Sequence, residues 1–519
     1  MGKRSRELPD LRWLIASIIL AALLIVTIAV NNNQQTTDTN LLSDALDIDN
    51  GDLKINWDSY PTFDIELSES LTISQSGTYH LTGDLDNGSI LIKSAKGQIR
   101  LILDNVVMTS ESGPVIKCDE ADDLVIELEG ENTLADSSDY SKITDVDVTG
   151  AIYSKGDLTF QGDGTLNLTA NYQDAIVGKD DVKFKSGKYH IVAEDDAIRG
   201  KDSIYIIGGN FDISANNDCF KATNDVDSGK GFVLVEDGSF NLISKNAKAI
   251  KAIKTLLLKG GNYSINTFDD AIHSDNYIAI TGGIYNITSG DDGIHANNEL
   301  IIDGGELHII KAYEGLEAQI VTINNGNINL ATSDDGINAG GGADKSSQNR
   351  PGANPFKADE NCTITINGGK VYINASGDGI DSNGWLYING GNVIVDGPTN
   401  NGNGALDAGM GIVMNGGEAY AIGSSGMATT LGNTSSIFNV SVYFNTVEPA
   451  GTKITIKNKS EETILEHTSA KQFSHLAFGS PKLQLGDAYT LYINDEEYIT
   501  FTLSDITTEI GKTNNMPKR

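Results

Sequence analysis

The sequence predicts an all-β chain, a right-handed parallel β-helix of about 22 residues per coil, and three observations predict it. The first is repetition. Between Gly260 and Gly341 one pattern is written four times: GGNYSINTFDDAIHSDNYIAIT, GGIYNITSGDDGIHANNELIID, GGELHIIKAYEGLEAQIVTIN and NGNINLATSDDGINAGG. The anchoring aliphatics Ile272, Ile294, Leu316 and Ile337 stand about 22 residues apart. The second is alternation. Tyr263-Ile265, Ile278-Ile280, Tyr285-Ile287 and Leu300-Ile302 repeat with period two, the signature of strands with one face in and one out. The third is a small residue before each anchor (Ala271, Gly293, Gly315, Gly336), which suits a tight corner. Three short strands and three turns per unit make one coil, and parallel crossovers are almost always right-handed.

In chain order, residues 1–12 are basic, with Lys3, Arg4, Arg6 and Arg12. Trp13 to Val30 is uncharged and mostly apolar; as a helix it is about 27 Å long, close to the thickness of a bilayer's hydrocarbon. The next stretch, NNNQQTTDTN, offers no clear small-residue cleavage site, so an uncleaved transmembrane anchor is expected in preference to a cleaved signal. The basic flank then stays inside and the rest is extracellular, a single-pass cell-membrane protein. Residues 31–60, polar and rich in Asp and Asn, read as a flexible stalk. The β-helix is expected over 61–430, with irregular first coils that seal its end. Regular anchors recur at Ile152, Ile176, Ile198, Phe220, Ile250, Ile272, Ile294, Leu316, Ile337, Ile380 and Leu406, a stack of roughly 50 Å. Longer steps mark insertions near Asn224 to Lys230 and from Gly340 to Asn361, the latter a loop. Residues 431–506 read as a small antiparallel β module, and 507–519 as a polar tail.

The 519 residues carry a net charge of −34, which argues against nucleic acid and anionic membrane surfaces as partners. Cys118, Cys219 and Cys362 have no metal-ligand spacing, and packing is favoured over a disulfide. A monomer is expected.

Aligning the coils on the anchor produces columns. Two and three places before it stand Gln173-Asp174, Asp195-Asp196, Asn217-Asp218, Ala247-Lys248, Asp269-Asp270, Asp291-Asp292, Tyr313-Glu314, Asp334-Asp335 and Gly377-Asp378. Carboxylates stacked at the strand spacing repel one another, and a bound cation removes that cost. Calcium takes six to eight oxygens from Asp, Asn and carbonyl groups, which these corners supply. Lys248 interrupts the ladder and leaves two candidate calcium clusters. One is Asp174, Asp195, Asp196 and Asp218; the other is Asp269, Asp270, Asp291, Asp292, Glu314, Asp334 and Asp335. The competing explanation is that Asp is simply a good turn residue.

One place after the anchor lies a second column: Arg199, Lys221, Lys251, His273, His295, Glu317, Asn338, Asp381 and Asp407. Alternation points it outward, beside the acidic pairs. Either it is a solvated face, or Arg199, Lys201, Lys221, His273 and His295, with Tyr313 and Trp385, line a shallow groove for a sugar chain. No nucleophile motif, phosphate loop or zinc signature is present, and Asp pairs in nearly every coil argue for repeated binding rather than one reaction centre.

The strings GDLTFQGDGTLNL (156–168), DDAIRGKDSI (195–204), DDAIHS (269–274), GDDGIHA (290–296), YEGLEA (313–318), SDDGINAGGG (333–342), GDGIDSNG (377–384), GPTNNGNGALD (397–407) and FSHLAFGSPKLQLGDAYTLYIND (473–495) resemble the bacterial carbohydrate-binding β-helix family. Its known members are clostridial cell-surface proteins that bind cellulose and pectin. The resemblance implies a calcium-binding right-handed β-helix similar in shape to pectate lyases, without demonstrated cleavage. Lys248, Asn217 and Leu316 depart from its pattern. The function expected is therefore non-catalytic, calcium-dependent binding of polysaccharide at the cell surface. The alternatives are a pectate-type lyase, with calcium and a base drawn from Arg199, Lys201 and Lys221, and a structural adhesin.

Overall fold

In the computed structural model, residues 39–94, 97–340 and 358–511 are described. The chain divides at Asp44. In the first unit Thr39–Asp44 forms a short helix. The second unit is a parallel β-solenoid of about 14 turns. Its first sheet holds the anchor strands, such as Ile272–Ser274, and each anchor pairs with the next: Ile250 with Ile272, Ile272 with Ile294, Ile294 with Leu316. Tyr277–Ile280 represents the second sheet and Ile284–Thr288 the third, each paired in register with its copies in adjacent coils. The 22-residue spacing thus becomes a stack in which chemically equivalent residues sit one strand apart.

Inward positions build one core running through all coils. In the third sheet Tyr189, Phe211, Phe240, Tyr263 and Tyr285 stack face to face, with successive centroids 4.8, 5.2, 4.5 and 4.5 Å apart. The Tyr263 and Tyr285 hydroxyls donate to the carbonyls of Gly260 and Gly282, so neither phenol is left dry and unpaired. The glycine immediately before a third-sheet strand is required by backbone shape: Gly283 has φ +101°. At the other corner Gly315 is needed for room, since a Cβ there would lie 2.4 Å from the Gly336 carbonyl oxygen. The three cysteines are buried free thiols, as packing predicts.

The structure differs from the sequence reading at both ends. Strand pairing begins at Thr62–Glu66, within the span read as β-helix. Residues 45–60, expected to be flexible stalk, instead run back along the coils. The Asp47 amide donates to the Gly229 carbonyl at 3.0 Å, and the Arg100 guanidinium lies 5.3 Å from the Trp57 ring centre. Between them Asp52 accepts from Lys183 at 3.0 Å; both are buried, with Asp157 a further 3.3 Å from the lysine. The physical reason is that an outward Lys on the second sheet is covered by chain, and a covered ammonium needs a carboxylate. At the far end a four-stranded antiparallel sheet forms from Lys453–Asn458, Thr463–Thr468, Ala488–Ile493 and Glu496–Thr502. Asn439–Glu448, Phe473–Gly479 and Thr507–Ile510 instead extend the solenoid sheet, with Phe473–Gly479 antiparallel to the last coil. The first residues of the expected tail are therefore a strand, paired with Asn439–Val442.

Among the described residues no helix is long and apolar enough to cross a membrane. The expected basic segment 1–12 and anchor 13–30 lie outside the described residues, as do 341–357 of the predicted loop.

Candidate carbohydrate and cation site

The acidic pairs occupy the turn that leads from the third sheet into the first, and the two members of each pair differ. The second member is buried: Asp174, Asp196, Asp218, Asp270 and Asp292 are all 5 % exposed or less. Its Oδ1 accepts the backbone N–H of the equivalent residue in the next coil. Asp174 thus caps Asp196 at 3.2 Å, Asp196 caps Asp218 at 3.0 Å, and Asp218 caps Lys248 at 3.0 Å. Asp270 caps Asp292 at 3.1 Å, Asp292 caps Glu314 at 3.2 Å, and Asp335 caps Asp378 at 2.6 Å. Each carboxylate therefore ties one turn to the next, a between-coil version of the capping that makes Asp favourable in turns. The first members Asp195, Asp269 and Asp291 are less deeply placed than their neighbours, while Asp334 and Asp335 are both half-buried.

Oδ2 is left for charge compensation, and here the column splits. From Asp174 to His295 the protein supplies cations. Arg199 reaches Asp174 at 2.6 Å; Lys221 lies 3.0 Å from Asp196 and 2.9 Å from Asp218. Lys248 sits 2.9 Å from both Asp269 and Asp270, which is the local neutralisation its place in the ladder predicts. His273 bonds Asp270 at 2.8 Å, and His295 lies 3.1 Å from Asp292 and 2.9 Å from Glu317. Burial alone pushes the Asp270 carboxyl up, but His273 and Lys248 hold it well below the usual range. Burial likewise opposes charge on His295, yet Asp292 and Glu317 raise the imidazole to about 11, so it is an imidazolium at neutral pH.

Beyond Glu317 the two aligned columns contribute no Lys, Arg or His. The second column pairs Asn338 with Asp381 and Asp381 with Asp407, and the turns contribute Glu314, Asp334, Asp335 and Asp378. Among the described residues none of these carboxylates has an ion-pair partner. Burial and the neighbouring acids push Asp335 to about 8, Asp381 to about 7 and Asp378 to about 6. Burial and Glu317 also raise Glu314 well above its ordinary value. In the same stretch the Asn338 side chain donates to Glu314 at 2.9 Å while its Oδ1 is buried without a partner. An amide oxygen without a partner in the same stretch as four raised carboxyls is a set of hard oxygen donors of the kind that could hold calcium.

Several sequence-predicted groove residues are placed elsewhere. His273 and His295 are 2 % and 0 % exposed, so they brace the ladder rather than line a groove. Their side chains do point away from the core, but the acidic turn three residues earlier closes over them. Arg199 and Lys221 are committed to Asp174, Asp196 and Asp218. Lys201 is exposed at the next corner, 3.9 Å from Asp202. Tyr313 stands beside the column, its carbonyl accepting from the Asp334 N–H at 2.9 Å, whereas Trp385 stacks on Tyr387 in the second sheet; no single groove holds both. Asp378, Asp381 and Asp407 were visible in the aligned columns, yet only the absence of cations around them marks them out.

The description "carbohydrate-binding domain-containing protein" matches residues 68–315 and 256–417, and the chain belongs to that family. A curated protein of the same description from Acetivibrio thermocellus is 28 % identical over 145 residues, covering 27 % of this chain and 50 % of that protein. The chain thus spans about half the length of the curated relative it matches. A solved structure of a polysaccharide lyase-like protein from C. thermocellum, a gadolinium derivative, is 25 % identical with a TM-score of 0.38. The match covers 46 % of this chain and 96 % of that one.

Proposed function

We propose that this protein is a non-catalytic, calcium-loaded binder of polysaccharide, displayed at the bacterial cell surface by its apolar N-terminal segment. The observation that carries the reading is the acid-only half of the column, on a chain of a carbohydrate-binding family. Asp334, Asp335, Asn338, Asp378, Asp381 and Asp407 would hold the ion. Bound calcium supplies positive charge and open coordination positions to a uronate carboxylate, which a chain of net charge −34 would otherwise repel. Binding to polygalacturonate then requires calcium and weakens with salt, because exposed charge is screened over about 8–10 Å.

Lyase chemistry needs a base that can be neutral. Burial disfavours the charged form of Lys221, but Asp218 and Asp196 outweigh it and raise its pKa, which keeps the ammonium protonated. That opposes the lyase reading at the site where bases and acids lie closest.

The test is thermal unfolding with calcium or chelator, run beside binding to polygalacturonate. Calcium at a hundred times its dissociation constant should add about 2.7 kcal/mol. Asp335→Asn with Asp381→Asn should abolish that gain and the polygalacturonate binding, while Asp196→Asn keeps both. A melting temperature indifferent to chelator would overturn the calcium reading, and unsaturated uronate products would overturn the non-catalytic one.

A further inference from the structure

The outer face of the third sheet carries a second kind of surface. Outward positions of its successive strands form two rows. One is Asn210, Ser239, Asn262 and Ile284; the other is Asp212, Asn241, Ser264 and Asn286. All eight side chains are exposed, and a shallow trough of about 560 Å³ runs over them. Lys188 and His190, the preceding members of the two rows, also line the trough, so on a chain of net charge −34 its charged residues are Lys188 at one end and Asp212, which lies 3.4 Å from His190 and accepts from Asn241 at 2.8 Å.

Asn is depleted in strands; of the four here Asn210 and Asn262 open their strands after turn glycines, while Asn241 and Asn286 lie inside theirs and call for a reason. Elsewhere in this protein the reason is a ladder. Asn367 donates to Asn324 at 2.7 Å, Asn389 to Asn367 at 2.9 Å and Asn415 to Asn389 at 3.0 Å, each amide satisfied by the next coil. On the panel Asn210, Asn262 and Asn286 make no such side-chain bonds among the described residues. Their carboxamides each offer an acceptor oxygen and two donor hydrogens to solvent.

We propose that this panel is the binding surface for one extended, neutral polysaccharide chain, lying across the strands and down the rows. The inference rests on the carbohydrate-binding reading above and places that binding on a face separate from the acidic column. Rows recur at the strand spacing of about 4.8 Å, close to the advance of one sugar ring in an extended chain, so successive rings meet equivalent groups. A carboxamide pairs with two neighbouring hydroxyls, one accepting and one donating. Beyond Lys188 and Asp212 at one end the trough is uncharged, which favours a neutral chain and keeps salt dependence small. Many weak contacts along one chain sum to useful affinity, as linked sites do.

The experiment compares the full chain with Asn262→Ala plus Asn286→Ala, and with Asn262→Lys, which blocks the trough. Both are checked for an unchanged unfolding midpoint, expected because the positions are exposed. The probes are hydroxyethyl cellulose and polygalacturonate, at low and high salt, with and without calcium. Losing two hydrogen bonds should weaken the neutral glucan about tenfold at either salt, and leave the calcium-dependent thermal shift intact. Retained glucan affinity in both variants overturns the panel while leaving the polysaccharide reading standing. Absence of binding to either polysaccharide by the unmodified chain overturns both. A concentration-dependent dimer abolished by the substitutions would make the face a contact between copies, and also overturns the inference.

Discussion

The two halves of the acidic column occupy the same turn of the same repeat, yet they solve one electrostatic problem differently. Between Asp174 and His295 every buried carboxylate meets Arg199, Lys221, Lys248, His273 or His295. Between Glu314 and Asp407 no cation takes that place among the described residues; burial raises carboxyls in both halves, Asp292 and Asp335 each to about 8, but only here is no side-chain cation paired with them. A solenoid repeats its backbone, so any ionisable residue in the repeat is stacked on its own copies. Each coil must therefore be compensated separately, by a side chain, a proton or an ion from outside.

The largest effect should come from the compensated half. Lys248→Met leaves Asp270, which is fully buried, short of its ammonium, and breaking such a pair costs about 3 kcal/mol. The urea midpoint of the chelated protein would report it. A shift close to zero would show that His273 alone suffices and would break the contrast between the halves.

A smaller effect should appear with pH. Asp335 titrates near 8 in the folded protein against 3.8 ordinarily, so between those values the folded state holds the extra proton. Stability must then fall as pH rises toward 8. His295, held up to about 11, adds a loss of the same sign above its ordinary 6.5. Melting temperatures of the chelated protein from about pH 6 to 8 should therefore decline. Asp335→Asn with Asp381→Asn should flatten part of that decline, and saturating calcium should flatten the same part. A decline unaltered by the double substitution would assign it to His295 and the other raised acids, Asp292 and Asp157.

The smallest effect belongs to the outer members of the pairs. Asp195 is only partly buried, and Asp195→Asn should change the unfolding free energy by no more than about 0.5 kcal/mol. A larger loss would mean that the outer row shares the load of the inner one.

Much of this was legible in the residue string. Period two, a 22-residue repeat and a small residue before each anchor specify coils, and stacking results because identical coils present identical hydrogen-bonding edges. The columns of carboxylates, Lys248 as a break in them, and the buried thiols were legible for the same reason. Proximity between residues far apart in sequence was not. Alternation tells which way His273 and His295 point, but not that a turn covers them. Nor does it tell that Asp52 comes back across the coils to meet Lys183 from 131 positions away. Local periodicity is set by the backbone, which every coil repeats. Charge compensation and burial depend on which side chains the stacked coils and returning segments bring within a few ångströms, and only the tertiary structure decides that.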